Sequence, residues 1–232
     1  ELQTARRNYI VSARENDFED GLRTLLAELY PDNAHFIYEL LQNAEDARAT
    51  EVRFNLFKDR LEVAHNGKRE FTLGDVEAIT GIGQSMKKDD PTQIGKFGVG
   101  FKAVFAYTNH PEVHSGNFSF VINDLFVPEE TSPSHVKGET KFVFPFDRTE
   151  KDVATSYKEI ARGLNEIGSS TLLFLSGVSM VKFEIEGGET GSVSRDDLET
   201  PRILIQETKG GEEKSSYWLR LLDHPEGFDE KI

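Results

Sequence analysis

Glu39-Leu-Leu-Gln-Asn-Ala-Glu-Asp-Ala47 has the spacing of an amphipathic helix with oxygen donors on its polar side. Glu39, Asn43 and Asp46 stand at i, i+4 and i+7, and a rotation of about 100° per residue brings them onto one side. Apolar residues occupy the opposite side. Carboxylate and carboxamide oxygens directed one way suit magnesium and water, and a solvated polar face is the alternative interpretation.

Ile94-Gly-Lys-Phe-Gly-Val-Gly-Phe101 is a glycine-rich loop that leads into an apolar, helix-like run. Glycines let the backbone approach a ligand closely, and the N–H groups at a helix N-terminus favour an anion. Residues 81–108 carry four Lys and two Asp, a local charge of +2 in a chain of net charge −14. The pattern indicates a phosphate site, and a glycine turn that only packs tightly explains it equally well.

Two commoner phosphate motifs do not fit this loop. A Rossmann unit needs a strand directly before its glycines, but the residues there, Asp89-Asp-Pro91, are typical of a loop. A P-loop needs Ser or Thr after its Lys, whereas Gly95-Lys96 is followed by Phe97. Both motifs are therefore rejected.

The two stretches together resemble the GHKL superfamily, which is named for gyrase, the large heat-shock chaperone, histidine kinases and MutL. The first is similar to its N-box and the second to its second glycine box, in the version found in sacsin-type domains. Ordered matches extend over roughly residues 32–184, which makes the resemblance more specific than a single motif. It implies a Bergerat fold: an α/β (α+β) two-layer sandwich whose mixed, mainly antiparallel sheet carries helices on one face and a lid over the nucleotide site.

The resemblance also implies a role for each matching residue. Glu39 would orient and deprotonate the attacking water, Asn43 would bind Mg²⁺, and Asp46 would support the polar network beneath the adenine. Thr140 would close the adenine site through its hydroxyl, with Thr171 as the rival for that role. The remaining cofactor-binding residues would be Gly67 and Ile79, together with Gly95, Lys96, Phe97, Gly98, Val99, Gly100 and Phe101 around the phosphates.

The sequence departs from the family at the residue that meets the adenine amino group. The family usually has an Asp there, and this chain has His65-Asn66-Gly67 at the end of a predicted strand. Asn66 is the first choice for the Asp position, and His65 takes it if the register differs by one. An Asn carbonyl accepts the same hydrogen bond without carrying a charge, so adenine affinity and base selectivity are expected to differ from the family.

Composition limits the class of protein. At 232 residues the chain can bury a full core, and its 17 Phe against one Trp predict a core built from phenylalanine. The absence of cysteine excludes disulfides and thiolate zinc sites, and no apolar run approaches the roughly 20 residues of a membrane span. With no visible signal peptide, a cytoplasmic location is expected. The excess of acidic residues, 41 against 27 basic, argues against a nucleic-acid surface.

Periodicity predicts the elements around the two boxes. A capping box at Thr72 and Asp75 predicts a short helix to Ile79, and residues 81–94 have the composition of a mobile lid. The hydrophobic patterns predict helices over 4–15, 17–29, 32–49 (capped by Asp32) and 150–167, a hairpin over 52–64, strands over 118–122, 141–146, 172–175 and 180–185, a loop over 187–200, and a late hairpin with strands 203–207 and 216–221.

These observations lead to one interpretation with three alternatives. The expected protein is a magnesium-dependent, slowly hydrolysing ATPase module that binds ATP or ADP, within a larger sacsin-like, chaperone-like or defence protein, with a nucleotide-driven homodimer in the full-length chain. Residues 1–185 would form the ATP-binding domain and 186–232 a hairpin extension. A histidine kinase is disfavoured because the first histidine is His35. A MutL- or MORC-like DNA-processing ATPase and a pseudo-ATPase that signals by binding nucleotide stay open.

Overall fold

The computed structural model describes residues 2–14, 35–81, 100–199 and 201–220. Its helices are α1 (Leu2–Arg14), α2 (Phe36–Asp46), α3 (Leu73–Ile79), α4 (Val153–Glu166) and α5 (Ser169–Leu173), with a 3₁₀ helix at Phe101–Ala106. Its strands are β1 (Glu51–Leu56), β2 (Arg60–His65), β3 (Glu112–Ser115), β4 (Phe118–Asn123), β5 (Val127–Glu130), β6 (Thr140–Pro145), β7 (Met180–Ile185), β8 (Thr190–Asp197), β9 (Arg202–Lys209) and β10 (Glu212–Leu219).

Within the described residues the strands form a single sheet in the order β10-β9-β8-β7-β1-β2-β6-β3-β4-β5. β1 and β7 are parallel, with Glu51 opposite Met180, and the other neighbours are antiparallel. The expectation of a mixed, mainly antiparallel sheet is therefore confirmed.

One face of the central strands packs against the helices. β1 and β2 alternate strictly between half-buried and buried residues, as expected for a sheet covered on one side. The buried residues join those of α2, α3 and α4 in a single hydrophobic core. That core is rich in phenylalanine, as predicted, since Phe54, Phe101, Phe126, Phe142 and Phe144 are all fully buried.

The helix starts near the site follow local capping chemistry. Thr72 accepts a hydrogen bond from the backbone N–H of Asp75 at 3.3 Å, and the Asp75 carboxylate accepts from the Thr72 N–H at 2.8 Å. This reciprocal capping box begins α3 as predicted. Asp152 begins α4 by accepting from the Thr155 N–H at 3.0 Å.

Two predicted elements are wrong, and one residue explains both errors. Residues 172–175 are not a strand, because α5 ends at Leu173 and an irregular loop follows. Residues 187–200 are not a loop, because β8 runs from Thr190 to Asp197. Arg195 occupies a buried position of β8, and this charged residue interrupts the apolar alternation that would have indicated a strand. The Arg195 guanidinium donates to the carbonyls of Leu172, Leu175 and Ser176, which fixes the loop after α5.

The remaining predicted boundaries shift or lie outside the described residues. The N-box helix spans Phe36–Asp46 with His35 at its N-cap, shorter than the predicted 32–49. Asp32, the predicted helix over 17–29 and the lid after Gly81 are outside the described part of the chain. None of the described helices has the length and apolar character needed to cross a membrane.

Candidate functional site

The site begins where α2 meets the end of the glycine-rich loop. Gly100 lies so close to Glu39 that a methyl group at this glycine would overlap the Glu39 carboxylate. The 3₁₀ helix that follows buries Phe101, whose ring lies 5.9 Å from that of Phe142 on β6. The structure therefore brings the carboxylate of the first motif against the last glycine of the second. The preceding residues Gly95, Lys96, Phe97, Gly98 and Val99 lie outside the described residues.

Asn43 and His65 face a small pocket one turn further along α2. The pocket is also lined by Phe142 and by the ends of neighbouring elements, namely Ala47, Arg69, Glu70, Phe71 and Asp75. Asn43 is 7% exposed, and no described residue forms a hydrogen bond with its carboxamide. Its donors and oxygen are thus available to a ligand in this pocket.

His65 has a defined tautomer. Its Nδ1 accepts a hydrogen bond from the Gly67 backbone N–H at 3.1 Å, so the ring proton of neutral His65 is on Nε2. Burial lowers the pKa of His65 to about 4, which keeps the ring neutral near pH 7. Gly67 is required here, because a Cβ would lie 2.8 Å from both the His65 ring and Ala47. His65 therefore presents an N–H donor rather than an acceptor.

Asn66 is directed elsewhere. Its carboxamide oxygen accepts from the backbone N–H groups of Thr50 and Glu51 at 2.9 and 3.0 Å, and its nitrogen donates to the Thr50 hydroxyl at 2.9 Å. These bonds fix the turn into β1. Of the two residues proposed for the base-recognition position, His65 lines the pocket and Asn66 holds the start of a strand.

Thr140 lies directly beside His65. The two residues are paired across β2 and β6, and Thr140 is also paired with Ser115 on β3. The Thr140 and Ser115 hydroxyls are 2.6 Å apart, and the Ser115 hydroxyl accepts from the Phe71 N–H at 3.1 Å. Thr171 instead lies on α5, where its hydroxyl accepts from the Gly168 N–H at 3.3 Å, and α5 packs against β8 and β9. The structure thus places Thr140, and not Thr171, next to the pocket residue His65.

Two predicted site residues lie apart from the pocket surface. Asp46 is exposed at the end of α2 and is not among the pocket residues. Ile79 is fully buried in the core, so it supports α3 from inside in this conformation and offers no surface to a ligand. No group of three or more His, Cys, Asp and Glu suitable for a metal is found among the described residues.

Three residues whose hydrogen bonds or ion pairs support the site were missed in the sequence. Ser115 relays a hydrogen bond to Thr140, and Arg69 pairs with Asp75 at the pocket rim. Glu45, between Asn43 and Asp46 on α2, accepts from the backbone N–H groups of residues 176, 177 and 178 at 2.7, 2.6 and 2.8 Å. The distance in sequence, more than 130 residues, left no local signal for the Glu45 contact.

Residues 62–167 match the family model described as the Sacsin domain. Protein NO VEIN of Arabidopsis thaliana is 40% identical over 105 residues, which covers 43% of this chain and 4% of that protein. Human Sacsin is 35% identical over 133 residues, covering 48% of this chain and 3% of that protein. The chain thus spans only a few per cent of these relatives, and the predicted resemblance to sacsin-type domains is confirmed.

Among solved structures, the B subunit of the DNA gyrase from Myxococcus xanthus aligns with a TM-score of 0.48 and 12% identity, over 83% of this chain and 67% of that chain.

Proposed function

We propose, starting from the Sacsin-domain match over residues 62–167, that this chain is a magnesium-dependent ATP-binding module with slow hydrolysis, part of a larger sacsin-like protein with chaperone-like or defence work. The observation that carries the proposal is that Asn43 on α2 and His65 on β2 line one pocket, with Thr140 of β6 paired directly with His65. The neighbouring contact between Glu39 and Gly100 supports it. The proposed location is cytoplasmic.

The base would lie between β2, β6 and the end of α2. Thr140 can direct its hydroxyl proton to a ring nitrogen when it accepts from Ser115, since the two oxygens are 2.6 Å apart. His65 is proposed as the residue that meets the polar edge of the purine. The carboxamide of Asn66 is already bonded to Thr50 and Glu51, which argues against the same role for Asn66.

The donor set fits Mg²⁺. Asn43 offers a neutral oxygen without a described hydrogen-bond partner, and Glu39 supplies a carboxylate one helical turn earlier on the same side of α2. Hard oxygen donors of this kind, completed by water and phosphate oxygens, are what Mg²⁺ prefers. When bound, Mg²⁺ would neutralise phosphate charge, and Asn43 is the residue proposed to hold it.

Glu39 is proposed to orient the attacking water and to take its proton. Its side chain is about a quarter exposed, so it stays accessible, and its Oε1 lies 3.6 Å from His35 Nε2. Gly100 leaves room beside this carboxylate that any larger residue would fill. The glycine-rich residues 95–99 remain the proposed phosphate contacts.

The deciding experiment compares Asn43→Ala with Asn165→Ala, which removes an exposed carboxamide on α4. Isothermal titration with ATP is run once with magnesium and once with a chelator. Asn43→Ala should weaken binding far more with magnesium than without it, and Asn165→Ala should match wild type in both. Equal losses under both conditions, or no binding by wild type, would overturn the proposal.

A further inference from the structure

β10 is one edge of the sheet that the described residues form. It is the last strand in the order, and seven of its eight side chains are exposed on its two faces. Tyr217 is 73% exposed, Trp218 40% and Leu219 66%. The opposite edge strand, β5, is only four residues long and contains Pro128, a common protection against edge pairing. β10 carries the charged residues Glu212, Glu213 and Lys214 but no proline, and no other described strand pairs with its outer edge, so this edge with its exposed apolar side chains is suited to pairing with a further strand.

The direction of the unpaired backbone groups follows from the β9–β10 register. Glu212 is opposite Lys209, and the same register continues to Arg220 and Pro201, where the Arg220 N–H donates to the Pro201 carbonyl at 2.8 Å. Hydrogen-bonded and non-hydrogen-bonded pairs alternate along an antiparallel ladder. The even-numbered residues of β10 therefore bond to β9. The backbone N–H and C=O groups that point away from the sheet belong to Glu213, Ser215, Tyr217 and Leu219.

We propose that β10 pairs antiparallel with β10 of a second copy of this chain, which gives a two-fold dimer with one continuous sheet. Pairing requires the outward groups of one copy to meet those of the other. A register centred on Ser216 does so, and it sets Lys214 opposite Trp218 and Glu212 opposite Arg220, whose Nη2 also donates to the carbonyls of Leu173 and Leu175. Opposite charges and a cation beside an aromatic ring are both favourable cross-strand pairs.

The other registers of the same type are worse. Centring on Tyr217 sets Lys214 opposite Arg220, a like-charge pair that destabilises a ladder. Centring on Ser215 leaves Glu212 opposite Trp218 and Arg220 without its acidic partner. A two-fold contact closes on itself and uses the open edge of both copies, so assembly stops at the dimer. Each copy has a net charge of −14, so the two copies repel each other at low ionic strength. At 0.15 M salt, charges more than about 8 Å apart are screened from each other. The dimer should therefore become more stable as salt rises towards that concentration.

A single cysteine tests the register directly, because the chain contains none. Ser216 lies on the proposed two-fold axis in a non-hydrogen-bonded pair, where Cα atoms are about 4.5 Å apart and a disulfide can form. Ser216→Cys should give a covalent dimer under mild oxidation. Ser215→Cys is the matched control, since Tyr217 of the second copy is opposite it, and it should crosslink much less. Equal crosslinking, or none at Ser216→Cys, overturns the proposal.

Sedimentation velocity tests the pairing without a crosslink. Ser215→Pro removes one outward N–H and leaves the ladder with β9 intact, so it should abolish the dimer, while Ser215→Ala should keep it. Glu212→Lys is a second test, which stays informative if the proline disturbs β10. It places like charges opposite Arg220 and should weaken the dimer roughly tenfold. Circular dichroism verifies that each variant is folded.

The outcomes separate this dimer from a nucleotide-driven one. The wild-type dimer should form equally with and without ATP, whatever the fate of the proposed ATPase function. A monomeric wild type at 100 μM (about a hundred times a micromolar Kd) would overturn the proposal. So would a dimer that is insensitive to Ser215→Pro and Glu212→Lys, or one that requires ATP.

Discussion

The centre of the sheet and its β10 edge are built from strands of similar length in opposite environments. In β1, Val52, Phe54 and Leu56 have at most 1% exposure, whereas β10 leaves nearly every side chain in solvent. Burial fixes the strands that carry His65 and Thr140, which holds the pocket residue His65 and its paired neighbour at defined positions. At the edge, the outward backbone groups of β10 have no strand partner among the described residues, and water or a further strand must satisfy them. Ligand chemistry and assembly should therefore respond to different mutations.

Glu39→Gln is expected to have the largest effect, and it should change the nucleotide chemistry without changing the β10 edge. Loss of the general base should lower ATP turnover by about 10²–10⁴-fold, while ATP affinity and the dimer stay close to wild type. Turnover and affinity are measured on the same sample, with the exposed Glu166→Gln as control. Unchanged turnover would remove Glu39 from the chemistry, and a wild type that binds ATP without turnover would favour a signalling pseudo-ATPase.

Lys102 makes the free energy of unfolding depend on pH. Its ammonium group is buried among Phe105 and Phe126 and donates to the Leu125 carbonyl. Burial, with a smaller effect of Arg6, lowers the pKa of Lys102 to about 7 from the 10.5 of a free lysine. The unfolded chain thus binds more protons between these values, and stability should rise with pH across the window by up to about 1.4 kcal/mol per unit.

Lys102→Met should remove that slope. The variant is expected to gain stability relative to wild type as pH falls from 10 to 7, and the difference should be constant below pH 7, where Lys102 is charged in both states. Urea unfolding at several pH values measures it. Parallel stability curves for the two proteins would show that Lys102 titrates normally in the folded state.

The parts of the fold that local pattern determines were predictable. The β1–β2 hairpin and α3 follow from alternating apolar residues and from the capping box of Thr72 with Asp75. The 3₁₀ helix after Gly100 was also foreseen as a helix start. Asn43, which lines the pocket, and Thr140, which is paired with His65, were named because they matched the pattern of a known family.

The parts that depend on long-range contacts were not predictable. β8 was missed because Arg195 occupies a buried position that a sequence pattern requires to be apolar. Residues His65 and Asn66 are both polar, so only their side-chain bonds, to Gly67 and to Thr50 respectively, distinguish their roles. Glu45 was not singled out from the sequence, because its three backbone partners lie in a distant loop.

Glu45→Gln tests how firmly α2 holds the loop of residues 176–178, which leads directly into β7. A carboxamide can replace only one of the two acceptor oxygens, so stability should fall by about 1–2 kcal/mol. The exposed Glu166→Gln serves again as the control and should change little. Amide hydrogen exchange at residues 176–178 should rise in Glu45→Gln alone. Unchanged protection would mean that the loop is held by Arg195 without help from α2.

The smallest expected effect concerns which base the pocket accepts. The amino group of adenine is a donor and meets the Nε2–H donor of His65, whereas the carbonyl oxygen of guanine can accept from it. Wild type should therefore show little preference for ATP over GTP. His65→Asp supplies an acceptor and should raise the ATP-to-GTP affinity ratio about tenfold, or ~1.4 kcal/mol.

Because burial lowers the pKa of His65 to about 4, the wild-type ratio should not change between pH 6 and 8. Asn66→Asp, one residue away, should leave the ratio unchanged, since Asn66 is bonded to Thr50. Titration of both nucleotides against the three proteins decides the matter: a ratio that changes in Asn66→Asp and not in His65→Asp would assign the base to Asn66.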